Sequence, residues 1–167
     1  MWNWMQVKNY NHGEFSENAI VHDILRFRIS EIENACFEKV PSQSDVLTYL
    51  RAGGWDEKVR AGVNCSHSID GVLDCVGAVI CFGHAQAAFQ KLLVLQSLYT
   101  DRQITEAIII TQTAKTARIR HVQSKKDKSK IGNGNGNRIT MENFTTAMEY
   151  YSRFITVPLT FIGIEYE

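Results

Sequence analysis

The stretch "ITEAIIITQT" at residues 104–113 constrains the fold more than any other. Its run of Ala107 and three isoleucines has neither the two-residue alternation of a half-exposed strand nor the period of an amphipathic helix. It reads as a strand buried on both faces, and such a strand belongs inside a sheet. Helical segments before and after it supply the covering layers. The expected architecture is therefore α/β, a mixed central sheet flanked by helices. A chain of 167 residues is long enough for one domain with its own core and too short for two comfortable ones, so residues 1–167 are expected to form one unit.

The other elements follow the same reading. A first helix is expected to begin near Asn11, with Glu14 three residues on as in a capping box, and to run towards Asn34 with Ile20, Ile24 and Phe27 on one side. In "PSQSDVLTYLRAGGW", Pro41 and Ser42 open a second helix, Val46, Leu47 and Leu50 give it an apolar face, and Gly53 or Gly54 ends it. "VNCSHSID" and "CVGAVICFG" read as strands, followed by the helix "HAQAAFQKLLVLQSLYT" with Phe89, Leu92, Leu93 and Gln96 at helical spacing. "TMENFTTAMEYYSRF" is a helix with Phe144, Ala147, Met148 and Tyr151 on one stripe, and "ITVPLTFIGIEY" is a closing strand in which Pro158 marks an edge or a strand start. Between the isoleucine run and that last helix lies the one long segment with no surviving period, residues 115–138, read as a loop rich in charge, Gly and Asn.

Charge is unevenly placed. The formal net charge is zero, yet residues 115–138 carry eight Lys and Arg against the single acid Asp127, a net +7 that leaves −7 for the rest. On charge alone, two readings stand: a surface that meets a polyanion such as nucleic acid, and a solvated insertion. No apolar run approaches the roughly 20 residues that span a bilayer, and the N-terminus lacks the basic and apolar regions of an export signal, so the expectation is a cytoplasmic protein without membrane contact. The four cysteines are irregularly spaced and fit reduced thiols better than a disulfide framework. Cys65, His67, Cys75, Cys81 and His84 lie close in sequence but lack the paired spacing of a zinc knuckle.

One acid stands out. A turn centred on Asp74 and Cys75 sets Asp70 across a hairpin from Val79, with Cys81 on the same face as Val79. This arrangement, an acid on one strand and an acid-x-polar pair on the next, suits a hard cation that stabilises a phosphodiester under attack. Val79 supplies no oxygen. Asp70 alone is equally a hairpin-capping acid.

"SIDGVLDCVGAVICFGHA", "EAIIIT" and "ITVPLTFIGIE", in that order and spacing, resemble the strands of BglII-like type II restriction endonucleases, a branch of the PD-(D/E)xK nuclease fold. The resemblance covers roughly residues 55–165, with a weaker match around "NYNHGEF". It implies a homodimer acting on short duplex DNA sites with Mg²⁺, through an Asp followed by a Glu-x-Gln. Carried over by position, Asp70 falls on the metal-binding Asp, Val79 on the Glu and Cys81 on the Gln, while the backbone carbonyl of Ile80 is the main-chain metal ligand. Two of the three catalytic side chains thus depart from the pattern. Glu106 is the candidate for a relocated metal ligand, with Asp74, Glu31 and Glu33 as further acids.

The resemblance also implies that the basic segment carries DNA contacts. Arg118, Arg120, Lys125, Lys126, Lys128 and Lys130 would neutralise phosphates. Asn133, Asn135, Asn137 and Arg138 have the donor patterns that read base edges, and His84 and Gln86 would reach the duplex from the start of a helix. The expectation is a sequence-specific duplex-binding protein of this fold, homodimeric, with cleavage impaired or lost and Mg²⁺ required only if it cuts. Two alternatives remain open at this point: an active Mg²⁺-dependent site-specific deoxyribonuclease with a relocated acid, and an interaction subunit that holds an acidic protein.

Overall fold

The computed structural model describes residues 2–11, 14–16, 42–56, 58–126 and 138–166. Eight strands and four helices are found among them: β1 (Trp2–Asn11), β2 (Glu14–Ser16), α1 (Gln43–Ala52), β3 (Val59–Arg60), β4 (Ser68–Ile69), β5 (Gly71–Leu73), β6 (Val76–Cys81), α2 (Ala85–Thr100), β7 (Glu106–Gln112), α3 (Ala114–Lys126), α4 (Met141–Tyr151) and β8 (Leu159–Tyr166). Six strands form one mixed sheet in the order β2-β1-β8-β7-β6-β5, and β3 with β4 forms a small second one. The isoleucine run is β7, parallel to β6 on one side and to β8 on the other. Its alternate side chains enter different cores, Ile109 on one face and Ile108 and Ile110 on the other. Double burial removes the polar alternation a surface strand would show.

The two faces have different covers. On one, Val79, Cys81, Ile109 and Phe161 pack with Ala88, Leu92 and Leu95 of α2 and with Phe144 and Met148 of α4. On the other, Ala78, Ile80, Ile110 and Ile162 pack with Val46 and Leu50 of α1 and with Trp55 and Phe82. Helix α1 begins and ends as expected: Ser42 caps it reciprocally with Asp45, and Gly53 closes it. Pro158 immediately precedes β8, a strand with neighbours on both sides, so it marks a strand start and not an edge.

Three expectations are corrected. The helix expected from Asn11 is a strand pair through Ser16, in which β1 runs antiparallel to β8; the remainder of that expected helix, with Glu31 and Glu33, lies outside the described residues. The physical reason is that β8 needs a hydrogen-bonding partner on its second side, which a local capping pattern does not reveal. The basic segment is not irregular throughout, because residues 114–126 form α3; polar residues on every side hide a helix from a search for apolar period. In α2, Leu93 is exposed, and the buried stripe is Ala88, Leu92, Leu95 and Leu98.

Candidate functional site

The hairpin of β5 and β6 turns on Asp74 and Cys75, both with positive φ, 48° and 63°. Two successive left-handed residues make the turn whose twist matches paired strands, although neither is the usual glycine. The register Gly71↔Ala78, Val72↔Gly77, Leu73↔Val76 places Asp70 at the level of Val79, as the turn position requires. Asp70 is held from both sides of its backbone. Its amide donates to the carbonyl of Ala78 at 2.9 Å, and its carbonyl accepts from the Arg51 guanidinium of α1 at 2.7 Å. Arg51 also donates to the carbonyls of Trp55 and Asp56, so one side chain gathers three carbonyls beside the hairpin. Gly71 is needed there: a Cβ at that position would lie 2.8 Å from the Asp56 carbonyl oxygen.

The Asp70 carboxylate is largely buried and has two donors. The amide of Ile80 reaches Oδ2 at 2.7 Å, and the Lys91 ammonium of α2 reaches the same oxygen at 2.5 Å. Lys91 also donates to the carbonyl oxygen of Ile80 at 3.0 Å. Thus the two oxygens that the resemblance assigns to a metal converge on the Nζ of a lysine. Lys91 was missed from the sequence, yet it carries a signal: it is the single charged residue of the sixteen in α2.

The degenerate positions are part of the core. Val79 is fully buried and Cys81 nearly so. Burial pushes the Cys81 thiol up to about 12, with Lys91 partly opposing and Asp70 reinforcing the rise. A neutral thiol is a poor nucleophile and a poor ligand for a hard cation. Glu106 does not replace the missing acid: it pairs with Val76, three strand positions from Val79. Three positions along a strand is roughly 10 Å. Asp74 is exposed in the turn. Among the described residues, no group of three or more His, Cys, Asp or Glu side chains is gathered to hold a metal. Mg²⁺ favours several oxygen ligands with compensating negative charge, and here one carboxylate and one carbonyl already share an ammonium. These residues do not fit it.

A second region lies where β6 and β7 end. His84 forms an isolated antiparallel bridge with Arg138, and the amide of Ile139 donates to the carbonyl of Gly83 at 2.8 Å. Gln112, fully buried at the end of β7, donates from Nε2 to the carbonyls of Phe82 at 3.2 Å and Ile139 at 3.3 Å. It ties the strand end bearing His84 to the segment bearing Arg138. The guanidinium of Arg120 lies over the Phe82 ring, 4.8 Å from its centre. Burial, and then the nearby Arg138 charge, lower the Arg120 pKa to about 10, with Asp45 opposing. It remains charged at neutral pH.

Arg118 and Arg138 line one groove of about 530 Å³ with His121, Thr140 and Asn143. His84 and Gln86 are exposed at the start of α2. Lys125 and Lys126 end α3, whereas Lys128, Lys130, Asn133, Asn135 and Asn137 lie outside the described residues. The structure therefore brings His84, Arg120 and Arg138 to one end of the parallel strands. In open α/β sheets this end is the usual place for ligands.

No curated protein sequence matches the chain. Among solved structures it is similar to the crystal structure of restriction endonuclease BglII complexed with a DNA 16-mer, at 12% identity and a TM-score of 0.67, covering 99% of this chain and 78% of that one. At this identity the likeness is one of fold. The family model described as restriction endonuclease BglII/BglIII matches residues 8–164, nearly the whole length. The chain belongs to the BglII/BglIII restriction endonuclease family.

Proposed function

We propose that the chain binds duplex DNA in a sequence-specific manner as a homodimer, through the face that carries His84, Arg118, Arg120 and Arg138, and that its phosphodiester cleavage is impaired or lost. The similar solved structure is a DNA complex, which supports the choice of partner. One observation carries the loss of cleavage: Asp70 is ion-paired with Lys91 where Val79 and Cys81 supply no second carboxylate. In this reading the cations of α3 and the lysines beyond it neutralise phosphates, while Arg138 and Asn133, Asn135 and Asn137 read base edges. Arg51, Gly71 and the Ile80 amide fix Asp70 and with it the hairpin beneath the duplex.

The experiment is a duplex-binding titration over a range of salt, run beside a plasmid-cleavage assay with Mg²⁺ or Mn²⁺. Log affinity is expected to fall with log salt by roughly 0.9 for each phosphate neutralised. Joint neutralisation of Lys125, Lys126 and Lys128 flattens that slope by up to about three units per protomer. Arg138→Ala instead alters sequence preference with little change in slope. Indifference to duplex DNA at low salt defeats the proposal in favour of an acidic protein partner. Plasmid cleavage abolished by Asp70→Asn defeats its second half.

A further inference from the structure

A carboxylate oxygen and a backbone carbonyl oxygen that converge on one point make a cation site by their chemistry alone. Here the Asp70 Oδ2 and the Ile80 carbonyl oxygen converge on the Lys91 Nζ, at 2.5 Å and 3.0 Å. We infer that Lys91 is a tethered cation that fills this site in place of a divalent metal and keeps such metals out.

Three features support it. The ammonium satisfies both oxygens with two of its three N–H donors, so neither oxygen is left to attract a free ion. The pair is largely shielded, with side-chain exposures of 21% for Lys91 and 12% for Asp70, and a dication entering beside an ammonium meets like charge at close range in a medium less polar than water. Finally, the helix that bears Lys91 is fixed in place: its neighbours on α2, Ala88, Leu92 and Leu95, are buried against the sheet that carries Ile80, which sets where the lysine stem begins. Lys91 also lines a cavity of about 110 Å³ with Ile80, Cys81, Gly83 and His84. The exclusion of metal does not depend on the DNA-binding proposal.

Mn²⁺ binding, followed by the electron paramagnetic resonance of the free ion, tests the inference on the full chain. The unsubstituted protein is expected to show no saturable binding at millimolar Mn²⁺. Lys91→Ala, and Lys91→Gln as a variant that puts a neutral amide in the space, are expected to bind Mn²⁺ at least about tenfold more tightly, the scale on which ligand charge tunes such sites. Asp70→Asn added to either variant is expected to remove the gain. Saturable binding to the unsubstituted protein that Asp70→Asn abolishes overturns the inference, and this titration decides even if both lysine variants fail to fold. Folded variants with unchanged Mn²⁺ affinity overturn it as well. A chain that ignores DNA yet still excludes Mn²⁺ defeats the proposed function and leaves this inference standing.

Discussion

Two regions of the molecule treat charge in opposite ways. At the Asp70 hairpin, acid and base cancel: one carboxylate meets one ammonium, and Val79 and Cys81 beside them are core. At the strand ends positive charge is in excess: Arg118 and Arg138 line a groove that holds one acid, Glu142, and Arg138 lies near enough to Arg120 to lower its pKa against the opposing Asp45. A site that stabilises a reacting phosphodiester needs a concentrated cation balanced by acids. A surface that binds the duplex needs only excess positive charge. Under the proposed function, binding and cutting are separable on this fold, since positive charge stands at the strand ends while the hairpin acid is paired with an ammonium.

The largest expected effect breaks the first region. Lys91→Met leaves the Asp70 carboxylate buried without its cation and is expected to cost about 3 kcal/mol of stability in urea denaturation. Asp70→Asn combined with Lys91→Met is expected to cost less than the sum of the two single changes, because the pair acts as a unit. Additive costs would show that the two groups do not interact in solution.

Next in size is the tie between the regions. Gln112→Leu removes the donor to the Phe82 and Ile139 carbonyls and is expected to cost about 2 kcal/mol, since buried acceptors lose their partner. Duplex affinity is expected to fall with it, because the relation of His84 to Arg138 is no longer held. Mn²⁺ exclusion at Asp70 is expected to be unaffected. If both properties change together, the two regions are one.

The smallest effect concerns Cys81. Its folded pKa is about 12 against an ordinary 9.0, so the contribution is fully present below pH 9 and is lost as pH rises from there through 12, where the unfolded chain gives up its proton first. The loss is expected to be about 1 kcal/mol over the first pH unit above 9, seen as a steeper fall than in Cys81→Ala. Equal slopes would mean that the thiol is not buried as described. Alkylation at neutral pH is correspondingly expected at exposed Cys75 and not at Cys81.

Local signals were legible wherever one short stretch holds all the information. The hairpin register follows from where the turn falls, α1 from its cap and glycine, and the central place of β7 from its unbroken apolar run. Elements whose reason lies elsewhere in the chain were not legible. β1 is a strand because β8 offers it an edge, and α3 is a helix without a continuous apolar stripe to announce it. In the sequence Gln112 is one polar residue at the end of an apolar run, and only the convergence of the Phe82 and Ile139 carbonyls on its amide gives it a role.

By itself, the sequence determined an α/β sheet with a doubly buried strand, the opposition of Asp70 and Val79, the absence of a carboxylate at residues 79 and 81, and the concentration of positive charge after residue 114. Those are properties of composition and of short-range spacing. What stands in the missing acid's surroundings was decided only by the tertiary structure. Lys91 is ten or more residues from both Asp70 and Ile80, and whether its ammonium points to water or between their oxygens depends on how α2 lies across the sheet. A hydrogen bond acts over about 3 Å of space, and separation along the chain carries no record of it.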